Sequence, residues 1–327
     1  MKVTVLAGGV GGARFLLGLR DRVAAEPGEH QITAVVNTGD DAWVAGLRIT
    51  PDLDSIMYAL AGVNDTVRGW GRTGETERVS AELTAWGVGW PWFTLGDLDL
   101  GAHIARTSWL REGVPLSGAV ERLTARWPLG VRLIPATDDE VETWVEVDDP
   151  DGDTRQLHFQ EWWVRHRSSL PARAFVQRGV ASAQPAPGVL DAIADADVVI
   201  LGPSNPVVSI GTILGIPGIA DAVRSTTAPV VGVSPIIGGA VVRGMADACL
   251  PAIGVETAAD AVARHYGARA SGGVLDGWLV DTVDDGLLPG IEAAGIASRA
   301  VPLWLRDPES SAALAGEVLA LAADLRH

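Results

Sequence analysis

Three acidic pairs carry most of the chemistry that this chain offers. Asp40 and Asp41 end the motif NTGDD, Asp52 and Asp54 lie in PDLDS, and Asp97 and Asp99 open LGDLDLGAH, which ends at His103. Oxygen ligands in this quantity, without clustered cysteines, suit a hard ion. Magnesium is usually held by one or two carboxylates together with substrate phosphates, whereas zinc is disfavoured. Each pair also has a structural alternative. Asp52 precedes an apolar helical pattern and would serve as its N-cap, while Asp54 in the first turn would favour the helix dipole. Asp97 or Asp99 would start the helix containing His103 and Arg106 in the same way. His103 is then either a satisfied structural histidine or, through its titration range, a catalyst.

A second set of residues would hold an anion. The opening MKVTVLAGGVGGARFLLGL reads as a strand through Val3 and Val5, a turn of Gly8, Gly9, Val10, Gly11 and Gly12, and a helix with Phe15, Leu16 and Leu19 on its apolar face. Such a turn brings backbone N–H groups and a positive helix end to a phosphate. It is not the dinucleotide fingerprint, because counting from Gly9 puts Arg14 where the third glycine should stand. Nor is it a Walker A loop, which needs a lysine; the only lysine is Lys2. The alternative is a tight turn that merely packs helix on strand. LGPSNPVVSIGTIL repeats the pattern with Ser204, Asn205 and Ser209, and SPIIGGAVVRG repeats it with Gly238, Gly239 and Arg243. Three such turns after three strands point to an extended polyphosphate or nucleotide across the sheet edge.

The elements that must position these residues follow from the apolar runs. Strands are expected at Gln31 to Asn37, Asp197 to Gly202, Pro229 to Ser234, Trp278 to Asp281 and Ser298 to Leu303, separated by amphipathic stretches. Continuous runs such as DVVILG suit strands buried on both faces of a parallel sheet. The expected fold is therefore α/β: a Rossmann-like, doubly wound, mostly parallel sheet. VRLIPAT, VETWVEVDD and TRQLHFQ alternate more, are separated by acidic turns such as DDPDGD, and read as an inserted small unit at 132–183 within a core of 1–131 and 184–327. Ligands of doubly wound sheets bind at the carboxyl ends of the strands, so Asn37, Thr38 and the first aspartate pair should lie beside the opening glycine turn.

Composition narrows the function classes. The chain has 327 residues, 47% of them hydrophobic, and a formal charge of −16. A phosphate backbone needs a concentrated basic face, so nucleic acid is not an expected partner. No window approaches a membrane span, and a secretory start is missing, so a cytoplasmic location is expected. The single Cys249 sits in an apolar stretch and is given no role. An anionic substrate would need local cations, and nearly all of those available are arginines. Trp43, Trp70, Trp90 and Trp92, set among glycines and prolines, are candidates to meet a flat aromatic ligand.

Taken together and in order, LAGGVGGARFLLGL, VVNTGDD, GLRITPDLDSIMYALAG, FTLGDLDLGAHIARTSWLREG, LGPSNPVVSIGTIL and SPIIGG resemble the 2-phospho-L-lactate transferase family of deazaflavin coenzyme F(420) biosynthesis, and the lysine-poor composition resembles its actinobacterial members. The resemblance implies a Rossmann-like homodimer that uses Mg2+. It implies transfer of a lactyl- or enolpyruvyl-bearing phosphoryl group from a guanosine diphosphate-linked donor to the ribityl hydroxyl of the deazaflavin Fo, with release of GMP. On this reading Gly8 to Gly12 and Arg14 hold the donor phosphates, and Asn37, Thr38, Asp40, Asp41, Asp52 and Asp54 form the metal and hydroxyl-activating cluster. Asp40, Asp41 and Asp54 are the metal ligands, and Asp54 is the base, with Asp40 and Asp52 its catalytic neighbours. Ser204, Asn205, Ser209, Gly238 and Gly239 hold the nucleotide, and Asp97, Asp99 and His103 orient Fo. Arg243 stands where the family often has a lysine. A nucleotidyltransferase or sugar-nucleotide enzyme, and a non-catalytic guanine-nucleotide sensor, remain the alternatives.

Overall fold

The computed structural model describes residues 1–148 and 153–326; most of the acidic turn DDPDGD lies outside the described residues. The strands are β1 (Lys2–Ala7), β2 (Gln31–Val36), β3 (Ala42–Val44), β4 (Leu47–Ile49), β5 (Arg132–Pro135), β6 (Glu142–Asp148) and β7 (Thr154–His158), followed by β8 (Ala172–Arg178), β9 (Val198–Leu201), β10 (Val230–Val233), β11 (Ile236–Ile237), β12 (Ala240–Val241), β13 (Gly277–Val280) and β14 (Ala297–Ala300). Seven of them form one sheet in the order β14-β13-β10-β9-β1-β2-β5. Every pairing in it is parallel.

Alternation along the strands explains why both faces are covered. Val3, Val5 and Ala7 of β1 pack with Phe15, Leu16 and Leu19 of helix α1 (Gly9–Ala24), whereas Leu6 points to the opposite core with Val35 and Val199. The first face also receives α2 (Pro51–Leu60) and the C-terminal helix Pro308–Asp324. That last helix approaches α1 so closely that a Cβ on Gly18 would overlap the Ser311 backbone. α3 (Arg78–Ala85), α4 (Asp97–Arg111) and α5 (Leu116–Thr124) lie between β4 and β5 in the chain.

Two expectations need correction. VRLIPAT does not join the antiparallel unit: β5 pairs in parallel with β2, Leu133 opposite Ala34, and forms the edge of the main sheet. Its apolar Leu133 and Ile134 are buried, one in each core, as a doubly covered strand requires. The antiparallel sheet is β7-β6-β8. The last strand also ends at Ala300; Val301 N–H still donates to the Val280 carbonyl oxygen, and Leu303 to Arg306 beyond it line the cavity.

β1 stands between β2 and β9. The chain leaves β1 toward β2 on one side and leaves β9 toward β10 on the other, so the carboxyl ends of β1 and β9 flank the switch point where doubly wound sheets bind ligands.

Candidate active site

A cavity of about 1220 Å³ opens there. It exceeds the ~300–1,000 Å³ of a pocket for one small ligand, and so has room for two substrates side by side. Its floor is the glycine turn, with Gly8 to Gly11 on one side and Ser204, Asn205 and Ser209 on the other. The glycines are required by close approach. A Cβ on Gly8 would overlap Asp52 Oδ2 and lie 2.8 Å from Ser209, one on Gly11 would overlap the Pro203 carbonyl oxygen, and one on Gly12 would lie 2.9 Å from the Ala7 Cβ. The Gly8 N–H donates to Ser204 Oγ at 2.9 Å, and Ser204 Oγ donates back to the Gly8 carbonyl at 2.8 Å. The packing and anion-binding readings of this turn are therefore compatible. Its side chain-free surface seats Asp52 and Ser204, while Val10 and Gly11 keep first-turn N–H groups that have no acceptor within α1.

The acidic residues sort into two groups. Asn37 Nδ2 donates to Asp40 Oδ1 at 3.1 Å and to Asp52 Oδ2 at 2.9 Å, so one amide ties the end of β2 to the start of α2. Both carboxylates are buried and line the cavity. Burial, then the neighbouring Asp52 charge, holds Asp40 well above the usual carboxylate range. Burial pushes Asp52 up to about 6, against hydrogen bonds from Asn37 and the Gly9 backbone. No arginine pairs with either among the described residues.

The second group is internally balanced. Asp54 Oδ1 pairs with Arg106 Nη2, and Asp54 Oδ2 accepts from Thr50 Oγ1 at 3.1 Å. Arg106 Nη1 lies 3.0 Å from His103 Nδ1 and donates to the Arg48 carbonyl oxygen at 3.0 Å. An arginine has no lone pair to offer, so His103 Nδ1 accepts and the ring proton sits on Nε2, 3.3 Å from Asp99 Oδ2. Tyr58 OH donates to Asp99 Oδ1 at 2.7 Å. Burial pulls the Asp99 carboxyl upward, but His103, Tyr58 and Arg106 outweigh it and hold the group below its usual range. Burial, with Asp54 and Asp99 beside it, pushes the Tyr58 hydroxyl up. Asp54, Asp99 and His103 bring ligand atoms within 4.8 Å of one another. With Arg106 already on Asp54 and a nitrogen in the set, that trio suits a hard cation less well than Asp40 and Asp52, which have charge to be matched and only oxygens to offer.

Other expected residues lie elsewhere. Asp41 is buried 3.5 Å from Arg48 Nη2 and does not line the cavity; burial, partly offset by Arg48, pushes its carboxyl up to about 8. Thr38 is buried and does not line the cavity, and Asp97 accepts from Thr76 and from the Val79 N–H outside the cavity. Gly238 and Gly239 make the tight turn of the β11–β12 hairpin, with φ of 58° and 75°, the positive values such a turn demands. Arg243, beyond that hairpin, does line the cavity, as do Arg14 and Arg306. None of these three forms an ion pair among the described residues, so the cavity that holds the acidic group also holds cations without a carboxylate partner. Arg14 Nη1 donates to the Leu305 carbonyl oxygen at 3.1 Å, fixing α1 against the segment after β14.

The remaining wall is aromatic. Trp70, Trp92, Phe93, Phe159 and Trp163 line it, and Trp90 stacks behind Trp92 with ring centroids 4.9 Å apart. Trp43 is not part of the wall; its Nε1 donates to Glu140. The antiparallel unit reaches the site through Gln160, whose Nε2 donates to the Asp40 carbonyl oxygen at 3.1 Å. Arg106, Tyr58 and Gln160 had no assigned role in the sequence reading. Arg106 was findable, because positions 99, 103 and 106 share one helix face, and Tyr58 follows Asp54 by one turn. Gln160 carries no such signal.

Comparison with known proteins adds the lineage. The family model described as 2-phospho-L-lactate transferase CofD matches residues 3–290. The chain belongs to this family. Among curated relatives, a Streptomyces griseus protein named phosphoenolpyruvate transferase is 55% identical over 326 residues, spanning 100% of both chains. Proteins of the same name from Thermobifida fusca and Mycolicibacterium smegmatis are 56% and 53% identical, each spanning at least 98% of both chains. A crystal structure of a UPF0052 family protein from Bacillus halodurans superposes with a TM-score of 0.64 at 17% identity, covering 97% of this chain and 99% of that one. That likeness is one of fold. Among the described residues of this family member, no helix is long and apolar enough to cross a membrane.

Proposed function

We propose that this protein transfers a phosphoenolpyruvyl group from a guanosine diphosphate-linked donor to the ribityl hydroxyl of Fo, releasing GMP and forming the dehydro form of coenzyme F(420)-0. The enolpyruvyl branch is favoured by the name phosphoenolpyruvate transferase shared by relatives that are 53–56% identical over nearly the whole chain. The observation that carries the two-substrate chemistry is that one cavity is lined by an acidic cluster, four arginines and an aromatic wall.

The N–H groups of Val10 and Gly11, with Arg14, hold the donor phosphates at the positive end of α1. Ser204, Asn205 and Ser209 line the nucleotide side, and Trp92 and Phe93 offer flat surfaces to the deazaflavin ring. Asp40 and Asp52 would hold Mg2+, which supplies charge neutralisation at the diphosphate. Asp41, earlier expected among the ligands, is instead committed to Arg48. Asp54 accepts the hydrogen bond of the attacking hydroxyl and takes its proton as the new P–O bond forms, while the bond from that phosphorus to the GMP oxygen breaks. Arg106 and Thr50 fix the Asp54 oxygens, and His103 and Tyr58 keep Asp99 ionised beside it. Phosphoryl transfer of this kind depends chiefly on positioning and charge stabilisation, so a strong base is not required. A homodimer is the proposed assembly, to be checked by light scattering.

The test is incubation with Fo, Mg2+ and either the enolpyruvyl or the lactyl donor, following GMP and product mass together. Equal amounts of GMP and phosphoenolpyruvyl-Fo, with the enolpyruvyl donor faster, support the reading. Pyrophosphate or a sugar product, or binding of GDP without turnover, would overturn it.

A further inference from the structure

We infer that Glu75 is a positioning residue that fastens the cavity wall at 68–71 to the helix carrying Asp99 and His103, so that acceptor wall and acidic cluster move as one body. α4 begins at Asp97 after Gly96, which has no side chain to cap it. Its first-turn N–H groups are capped instead from the preceding loop. Leu98 N–H donates to Glu75 Oε2 at 2.7 Å and Asp99 N–H to Glu75 Oε1 at 3.0 Å, while Asp97 N–H donates to the Thr76 carbonyl oxygen at 2.8 Å. Two adjacent residues thus take all three N–H groups that α4 cannot satisfy within itself, and the Glu75 charge sits at the positive helix end.

The same carboxylate holds the loop. Glu75 Oε1 accepts from the Arg72 N–H at 3.1 Å, closing the turn that follows Arg68, Gly69, Trp70 and Gly71, all of which line the cavity. Gly96 makes the approach possible, since a Cβ there would overlap the Glu75 carboxyl carbon. Asp99 in this first turn and His103 one turn further along α4 both line the cavity. Removing the Glu75 carboxylate therefore breaks the link from the Arg72 N–H to the Leu98 and Asp99 N–H groups, leaving Thr76 and Asp97 as the contact between loop and helix, while every residue that lines the cavity stays in the sequence.

The inference rests on the acceptor pocket assigned above, and two readouts separate the two claims. For wild type, Glu75→Gln, Glu75→Ala and the control Asp138→Ala, the KM for Fo and for the donor is measured alongside amide hydrogen exchange. Asp138 is a matched control, because it caps α5 from a distance, accepting from Ser117 N–H at 2.6 Å, and does not line the cavity. The expected result is a tenfold or greater rise in the Fo KM for Glu75→Ala with the donor KM within twofold, a smaller rise for Glu75→Gln, and neither change for Asp138→Ala. Amides of 68–71 should exchange faster together with those of Leu98 and Asp99. Faster exchange confined to α4, or equal rises in both KM values, would overturn the inference. Should wild type fail to use Fo, the acceptor assignment falls and the exchange comparison still decides the coupling. Glu75→Gln retains one accepting oxygen and serves if Glu75→Ala does not fold.

Discussion

Replacing Asp52 with Asn should stabilise the metal-free protein and abolish its turnover. Asp52 is 6% exposed, and its carboxyl is raised from the ordinary 3.8 to about 6. A carboxyl with a raised folded pKa keeps its stabilising contribution only at low pH. As pH rises from 3.8 to 6, the unfolded chain has already released the proton that the folded chain retains, so stability falls. At ~1.4 kcal/mol per pH unit, the ionised carboxylate costs the folded state about 3 kcal/mol at pH 8. Asparagine has the same shape, carries no charge to bury and accepts from Asn37 through its oxygen, but its amide nitrogen cannot accept from the Gly9 N–H, a pH-independent loss of about 1 kcal/mol. Urea unfolding in chelator should therefore give a variant whose stability relative to wild type rises by about 2–3 kcal/mol between pH 4 and pH 8, and which is the more stable protein at pH 8. His158, pushed down by burial to about 4, is common to both proteins and cancels in the difference. Asp40 and Asp41 do not cancel: the Asp52 charge helps to raise both carboxyls, so its removal relieves them and acts in the same direction, favouring the variant as pH rises. Mg2+ at a hundredfold excess over its Kd should add about 2.7 kcal/mol to wild type and far less to the variant. A stability difference that does not change with pH, or a variant less stable at pH 8, would refute the reasoning that an unmatched buried charge sits at this position.

Arg106→Met leaves Asp54 buried without its cation and should lower stability by about 3–5 kcal/mol at pH 7 by calorimetry, with transfer falling by at least two orders of magnitude. Tyr58→Phe removes one of the two side-chain donors to Asp99 and should cost about 1 kcal/mol in urea unfolding, with a kcat effect larger than its KM effect. Gly11→Ala forces a methyl onto the Pro203 carbonyl and should cost about 1–3 kcal/mol. In the same variant the displaced turn should weaken GDP binding measured calorimetrically, while Fo binding stays near wild type. Trp92→Ala should raise the Fo KM and leave that of the donor unchanged, since the indole belongs to the aromatic wall.

The sheet was readable because its strands are short unbroken apolar runs, and DVVILG and PVVGVSP became β9 and β10 with only their ends trimmed. VRLIPAT was harder. A short strand that buries Leu133 in one core and Ile134 in the other looks the same, in one dimension, as a strand of a small antiparallel unit. The position of the switch point placed Asn37 and Asp40 beside Gly8, since it depends only on where β1 and β2 end; Asp52, in the first turn of α2, joins them through the Asn37 amide. It said nothing of where adjacent side chains point, and Asp41, one residue from Asp40, faces Arg48 instead. Gly238 and Gly239 were ambiguous for a similar reason. Positive φ serves a hairpin turn and a phosphate loop alike, and only the pairing of Ile237 with Ala240 separates them. Long-range partners such as Glu75 on α4 leave no local pattern at all.

Direct transfer within one complex of protein, donor and Fo is decided by rapid-quench single turnover with the enzyme in excess. GMP and phosphoenolpyruvyl-Fo should appear with one rate constant, and without Fo only background amounts of GMP should be released. A stoichiometric burst of GMP before Fo is added would contradict it, because a covalent intermediate on the protein would then carry the group.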